Sequence, residues 1–182
     1  MNKIIGILGM QGAIAEHQEI LLQIPHTKTR IVKTAKDLDC IDGLILPGGE
    51  STAIGKLLDY FSLKEILRQK IISGLPVFGT CAGLILLAKN IENQTNTHLA
   101  TMDITVKRNG YGSQLDSFST NLLIPTIDKN MPIPLVFIRA PYITKTDKDV
   151  QILATLDNKI IAARQKNMLV TAFHPELTND LR

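Results

Sequence analysis

The sequence predicts an α/β fold, with a mostly parallel central sheet, helices on both faces and an antiparallel extension. Three observations predict it. In the first half, short continuous apolar runs stop at glycine-bearing turns that open helical stripes, the rhythm of βα units. After residue 95 helical periodicity gives way to short strand-like runs separated by turn residues. Hydrophobic residues make up 45% of the chain but aromatic residues only 4%, with no Trp. The core must therefore be built from Ile, Leu, Val and Ala, which suits a sheet buried between helices.

Taken in order, Ile4, Ile5, Ile7 and Leu8 form a buried strand that ends at Gly9-Met10-Gln11-Gly12. Residues 13–24 carry Ile14, Ile20, Leu21 and Ile24 on a helical stripe. Arg30 to Val32 is a weak strand and Gly43 to Leu46 a stronger one, stopped by Pro47-Gly48-Gly49. Ser51 is placed to cap a helix bearing Ile54, Leu57 and Leu58. A second helical stretch follows over about 62–73, closed by Gly74. Pro76-Val77-Phe78 is another short buried strand, and Leu84 to Ala88 begins a helix. The strand-like runs of the second half are Ile104 to Val106, Phe118 to Ile124, Leu135 to Ile138, Val150 to Leu156, Ile160 to Ala163 and Met168 to Phe173. No linker, repeat or low-complexity segment interrupts them, so residues 1–182 are read as one domain, long enough for a real core.

Composition removes several function classes. The 20 Lys and Arg exceed the 17 Asp and Glu by a formal charge of +3, spread along the chain without a like-charge run, so nucleic acid is not implied. Two cysteines, Cys40 and Cys81, are too few for a secreted disulfide scaffold and favour a reducing cytoplasm. Lys3, the run from Ile4 to Met10 and Ala13-Ile14-Ala15 mimic a signal peptide, but Gln11 and three glycines interrupt the apolar stretch. No apolar run approaches the roughly 18 residues of a membrane span. Gly9-Met10-Gln11-Gly12 is neither a dinucleotide loop nor a Walker loop, and nucleotide binding is rejected. No His, Cys and carboxylate cluster has ligand spacing, so no metal and no cofactor are expected.

The stretch Gly79-Thr80-Cys81-Ala82-Gly83 is the most informative. It sets Gly-x-Cys-x-Gly between a buried strand and a helix, the cysteine form of a nucleophile elbow. The sharp turn crowds its own backbone and demands small residues two before and two after the nucleophile. It lifts the thiol to the sheet's carboxyl edge, at a helix N-terminus that favours thiolate. The competing reading is a structural Cys in a tight turn. Cys40, in Leu38-Asp-Cys-Ile-Asp42, has no small neighbours and no base, and reads as a small apolar residue.

A thiol nucleophile needs an imidazole to exchange protons with it and with the leaving group. His174 ends the apolar run from Leu169, and Glu176 follows after the rigid Pro175, placed to accept the other ring N–H. His17, His26 and His98 stand in polar contexts and read as solvated. The glycines of Leu46-Pro-Gly48-Gly49-Glu50-Ser51-Thr52 could turn amides inward as an oxyanion hole together with the Ala82 N–H, or simply form a turn before an Ser51 N-cap. Arg108 and Arg139 stand beside turns, where either could clamp a substrate carboxylate or lie on the surface.

These segments resemble the glutaminase subunits of pyridoxal 5′-phosphate synthases, a branch of the class I glutamine amidotransferases. The matching stretches are Leu8 to Ala13, Glu16-His17, Leu46 to Thr52, Phe78 to Leu84, Arg108 to Gly112, Phe137 to Pro141 and Phe173 to Leu177, in the expected order along nearly the whole chain. The resemblance implies Cys81 as nucleophile, with His174 and Glu176 completing a triad. It also implies glutamine contacts from Gly49, Glu50, Ser51, Arg108, Ile138 and Arg139. It further implies a (β/α)8 synthase partner that receives ammonia through a channel, with Gln11 near the docking face and the oxyanion hole. Two departures stand out: Ser113 lies in a run where the family commonly has Arg, and the family usually continues beyond the counterpart of Arg182. The rival readings are a glutaminase serving another amidotransferase pathway and a non-catalytic regulatory subunit on the same fold.

Overall fold

The computed structural model describes residues 2–111 and 117–182. Its first half alternates as the apolar rhythm demands: β1 (Lys3–Leu8), α1 (Ile14–Leu22), β2 (Thr27–Val32), β3 (Gly43–Leu46), α2 (Ser51–Tyr60), α3 (Lys64–Ile72), β4 (Val77–Thr80) and α4 (Ala82–Leu87). Strands fill the rest: β5 (Ala88–Ile91), β6 (Met102–Lys107), β7 (Ser117–Leu122), β8 (Ile133–Ile138), β9 (Tyr142–Thr146), β10 (Gln151–Leu156), β11 (Lys159–Gln165) and β12 (Met168–Thr171). Among the described residues the main sheet runs β2-β1-β3-β4-β12-β11-β9-β6-β5, with β10 also paired to β11 and β7-β8 forming a separate ribbon.

The block β2-β1-β3-β4-β12 is parallel throughout. From β12 onward the pairs β12-β11, β11-β9 and β9-β6 are antiparallel. The chain leaves β1 in one direction to reach β2 and leaves β3 in the other to reach β4. Right-handed crossovers therefore put α1 on one face and α2 with α3 on the other. Packing follows: Leu8, Leu44 and Leu46 join Leu58, Leu63, Leu67 and Leu84 in one buried cluster. Each such leucine contributes roughly 1.5–3 kcal/mol by leaving water. Strand order reverses between β1 and β3, the position at whose carboxyl ends open α/β sheets bind ligands. There the Ala13 N–H donates to the Gly48 carbonyl at 2.9 Å.

Several local expectations are corrected. Ser51 is the first residue of α2, not its cap. Glu50 is the cap, its carboxylate accepting the Ala53 N–H. The longer acid reaches back over the first turn, where Ser51 is turned inward and is 1% exposed. The helix after the elbow begins at Ala82 and stops after six residues, because Ala88 enters β5. Neither β5 (Ala-Lys-Asn-Ile) nor β9 (Tyr-Ile-Thr-Lys-Thr) shows enough apolar periodicity to be read alone, and pairing to β6 and β11 makes them strands. Cys40 is exposed at φ +66°, a surface turn residue rather than an apolar filler. The signal-like N-terminal stretch is β1, its turn and α1, with β1 flanked on both sides by strands. Among the described residues no helix is long and apolar enough to cross a membrane.

The ribbon β7-β8 is held by aromatic packing: Phe118 stacks on Phe137 at 4.6 Å, and Tyr111 lies 5.2 and 5.6 Å from those rings. It also touches the sheet's carboxyl edge, where the Val136 carbonyl accepts the His174 N–H at 2.8 Å. A cleft of about 660 Å³, lined by Ile5, Ile45, Phe78 and Leu169 among others, opens instead toward the amino-terminal side of the strands and includes neither Cys81 nor His174.

Candidate active site

β4 delivers Cys81 at φ +48°, ψ −98°, a conformation that costs a non-glycine residue on the order of 1–3 kcal/mol. Surrounding packing enforces it. A Cβ on Gly79 would stand 2.7 Å from the Gly83 carbonyl, and one on Gly83 would stand 2.1 Å from the Leu46 oxygen. The elbow is thus pressed against β3 by the two small residues that the motif demanded. The Cys81 N–H donates to the Thr171 carbonyl of β12 at 2.8 Å, and its sulfur lies 4.0 Å from the Ile138 carbonyl.

The adjacent parallel strand β12 delivers His174 to the same edge. Pro175 opens a 3-10 turn, Pro175–Leu177, that folds Glu176 back beneath the imidazole. His174 Nδ1 meets Glu176 Oε1 at 2.7 Å, and the carboxylate side chain is wholly buried. Burial by itself lowers the His174 pKa. Hydrogen bonding to Cys81 and Glu176, with the negative charge of both, outweighs burial and pushes it up to about 10. The surroundings of the ring therefore favour its imidazolium form.

The glycine loop lies against both groups. A Cβ on Gly48 would stand 2.4 Å from His174 Cε1 and 3.4 Å from Cys81 Cβ, so only glycine fits. One residue on, Gly49 packs on Gln11, and the Glu50 N–H donates to Gln11 Oε1 at 2.8 Å. Arg108 donates to Glu50 Oε1 at 2.7 Å and to Thr52 Oγ1 at 3.1 Å. It therefore props the loop rather than standing free. Burial raises the Glu50 pKa, but the Ala53 and Thr52 amides and Arg108 outweigh it and hold the carboxyl below its ordinary value. The buried Ser51 hydroxyl has no hydrogen-bond partner among the described residues. Arg139 stands exposed on the rim at φ +43°, directly after Ile138.

Cys81, His174, Glu176 and Gly48 are thus brought into contact, with Gly49 and Ala82 adjoining them in the chain. Glu50, Ser51 and Arg108 form a second group, linked to the first through Gln11 and the loop. Ser113 lies outside the described residues. Among the described residues no group of three or more His, Cys, Asp or Glu is arranged to hold a metal ion.

One residue at the site was misread. His17 is 2% exposed, not solvated. Its Nε2 lies 3.2 Å from Thr80 Oγ1 and 3.5 Å from Glu176 Oε2. The signal was present, since Ile14, His17 and Leu21 share one helical face. His26 is exposed as expected, whereas His98 is half-buried over Gly55.

A model of the SNO glutamine amidotransferase family matches residues 7–182. The chain belongs to that family. It is 56% identical over 178 residues to the pyridoxal 5′-phosphate synthase subunit PdxT of Carboxydothermus hydrogenoformans, covering 98% of this chain and 92% of that protein. The subunit of the same name from Clostridium botulinum is 54% identical over 178 residues, covering 98% and 92%. A crystal structure of a glutamine amidotransferase superposes with a TM-score of 0.89 at 37% identity, covering 97% of this chain and 93% of that one. PurLQS from Thermotoga maritima shares the fold, with a TM-score of 0.70 at 16% identity over 97% of this chain and 89% of the other. In this SNO glutamine amidotransferase the elbow, histidine and glycine loop occupy the parallel block of the sheet.

Proposed function

We propose that residues 1–182 form one glutaminase domain that hydrolyses L-glutamine to L-glutamate and ammonia, the ammonia passing to a synthase that makes pyridoxal 5′-phosphate. The observation that carries this reading is a strained cysteine elbow facing an imidazolium whose other nitrogen is held 2.7 Å from a buried carboxylate. His174, whose pKa is pushed up by Cys81 and Glu176, takes the proton of the Cys81 thiol. Thiolate attacks the side-chain amide carbon. The C–N bond breaks as His174 protonates the departing ammonia. Water, deprotonated by His174, then cleaves the thioester and restores Cys81.

Backbone N–H groups of Gly48, Gly49 and Ala82 are the donors for the developing oxyanion, each worth roughly 10²–10³ in rate. Gly49, Glu50, Ser51, Arg108, Ile138 and Arg139 bind the amino-acid end of glutamine, and the Ser51 hydroxyl, without a partner among the described residues, supplies a polar group there. The partner is a (β/α)8 synthase subunit, reached through a channel in a cytoplasmic complex without nucleic acid or membrane. Gln11 couples the two, because its bond to the Glu50 N–H ties the first turn to the oxyanion loop. The test is ammonia release from glutamine with and without the cognate synthase, with Cys81→Ala as control. Stimulated release that Cys81→Ala abolishes supports the reading, and no release in either condition overturns it.

A further inference from the structure

Three groups have been assigned to proton and electron-pair movements, yet a fourth titratable side chain is buried against them. Glu176 offers two oxygens. Oε1 accepts from His174, whereas Oε2 is sealed from solvent and, among the described residues, has no hydrogen-bond partner. A buried anionic oxygen left without a donor is among the costlier defects a site can carry. The nitrogen within salt-bridge reach of it is His17 Nε2 at 3.5 Å, on α1, the same nitrogen that lies 3.2 Å from Thr80 Oγ1. Thr80 immediately precedes Cys81. One imidazole thus bridges the acid beneath His174 and the residue beneath the nucleophile.

We propose that His17 is a positioning residue for the triad: neutral, it carries its proton on Nε2 and shares it between Glu176 Oε2 and Thr80 Oγ1. This fixes the carboxylate so that Oε1 stays under His174. The separation of 3.5 Å is longer than a closed hydrogen bond, and such contacts commonly tighten only with substrate bound. The charges around the ring support the neutral form. Burial disfavours a cation there and so does neighbouring imidazolium His174, whereas Glu176 and Glu16 favour one, and the first effects prevail. The opposite tautomer would turn a lone pair toward the buried carboxylate and leave Oε2 without any donor. Because α1 also begins at the turn holding Gln11 and Ala13, both bonded to the oxyanion loop, one short segment grips the loop and the acid together.

This inference rests on the triad reading, and its tests separate the two. In the native protein, nitrogen NMR of the imidazoles should show His17 as the Nε2–H tautomer, not titrating between pH 6 and 8. A protonated or Nδ1–H ring overturns the proposal whatever the activity. His17→Leu removes the donor while keeping bulk, and His17→Gln restores an N–H. With the synthase present and glutamine saturating, His17→Leu should lose roughly 10- to 100-fold in kcat with KM little changed, the scale of one hydrogen bond to a charged group. Its acidic limb should move to higher pH, and His17→Gln should recover most of the rate. If the leucine variant is unfolded, the tautomer and the glutamine variant still decide. Unchanged kcat in a folded His17→Leu protein sinks this proposal alone, whereas a native protein that neither hydrolyses glutamine nor loses Cys81 to a glutamine-like electrophile sinks the triad.

Discussion

The parallel and antiparallel halves of the sheet do different work. In the parallel block, β1, β3, β4 and β12 point their carboxyl ends the same way, so Gln11, Gly48, Cys81 and His174 arrive at one edge from four separate strands. From β12 through β11 and β9 to β6 neighbouring strands point in opposite directions, and their ends scatter to both edges. That half contributes Arg108, just after β6, and the separate β7-β8 ribbon contributes Ile138 and Arg139; all three brace or border the site. The difference follows from strand direction alone: parallel strands concentrate chain ends where helix N-termini and loop amides converge. The thiol, the imidazole and the glycine loop stand on the parallel block, and Arg108 reaches the loop from outside it.

The comparison breaks most visibly at the nucleophile. Cys81→Ala and His174→Ala should each lower ammonia release at least 10⁴-fold, and the double variant should be no worse than either, since such groups act as a unit. Glu176→Gln should leave a measurable remainder, about 10³- to 10⁴-fold below the native rate, because orienting a base matters less than supplying one. Additive losses in the double variant would show that the two residues do not act together.

Gly48→Ala tests the loop rather than the reacting groups. The added methyl would fall 2.4 Å from His174 Cε1, so the ring or the loop must move. A displacement of that order should cost about 10²-fold in kcat while the protein stays folded. Near-native turnover would show that His174 has room the structure does not give it. On the antiparallel side, Arg108→Gln breaks the pair with Glu50 and should raise KM for glutamine about tenfold, with kcat changed less. A fall in kcat alone would move Arg108 from substrate grip to chemistry and erase the contrast between the halves.

Legibility in the sequence divides along the same line. Gly43–Leu46 and the βα rhythm around it were readable because β1, β3 and β4 are short apolar runs that stop at glycine-bearing turns. The Cys81, His174 and Glu176 constellation was readable because the elbow needs small residues at fixed offsets and the Pro175 turn holds acid and base two residues apart. β5 and β9 were not, since their polar residues are held by neighbours far away in the chain. His17 was missed for a different reason: judged by polarity it looks solvated, and only its register with Ile14 and Leu21 reveals a buried face. Arg108 was recognised, but its partner 58 residues away could not be.

The smallest effect concerns pH and stability, and it distinguishes the halves once more. The His174 pKa in the folded protein, about 10, lies above the ordinary value of 6.5 that the unfolded chain should show. Its stabilising contribution is therefore complete below pH 6.5 and is lost as pH rises toward 10. Outside the parallel block the sign reverses. Backbone amides of Asn130 and Met131, then Arg182, hold the Asp128 pKa down to about 2, so that contribution is present at neutral pH and is lost as pH falls toward 2. The first group is buried and the second solvent-screened, so the alkaline effect should be the larger. Between pH 7 and 9.5 the native melting temperature should fall a few degrees more than that of His174→Gln, at about 2–4 °C per kcal/mol for a chain of this size. Parallel melting curves for the two proteins across that range would show that the buried imidazolium contributes nothing to the fold.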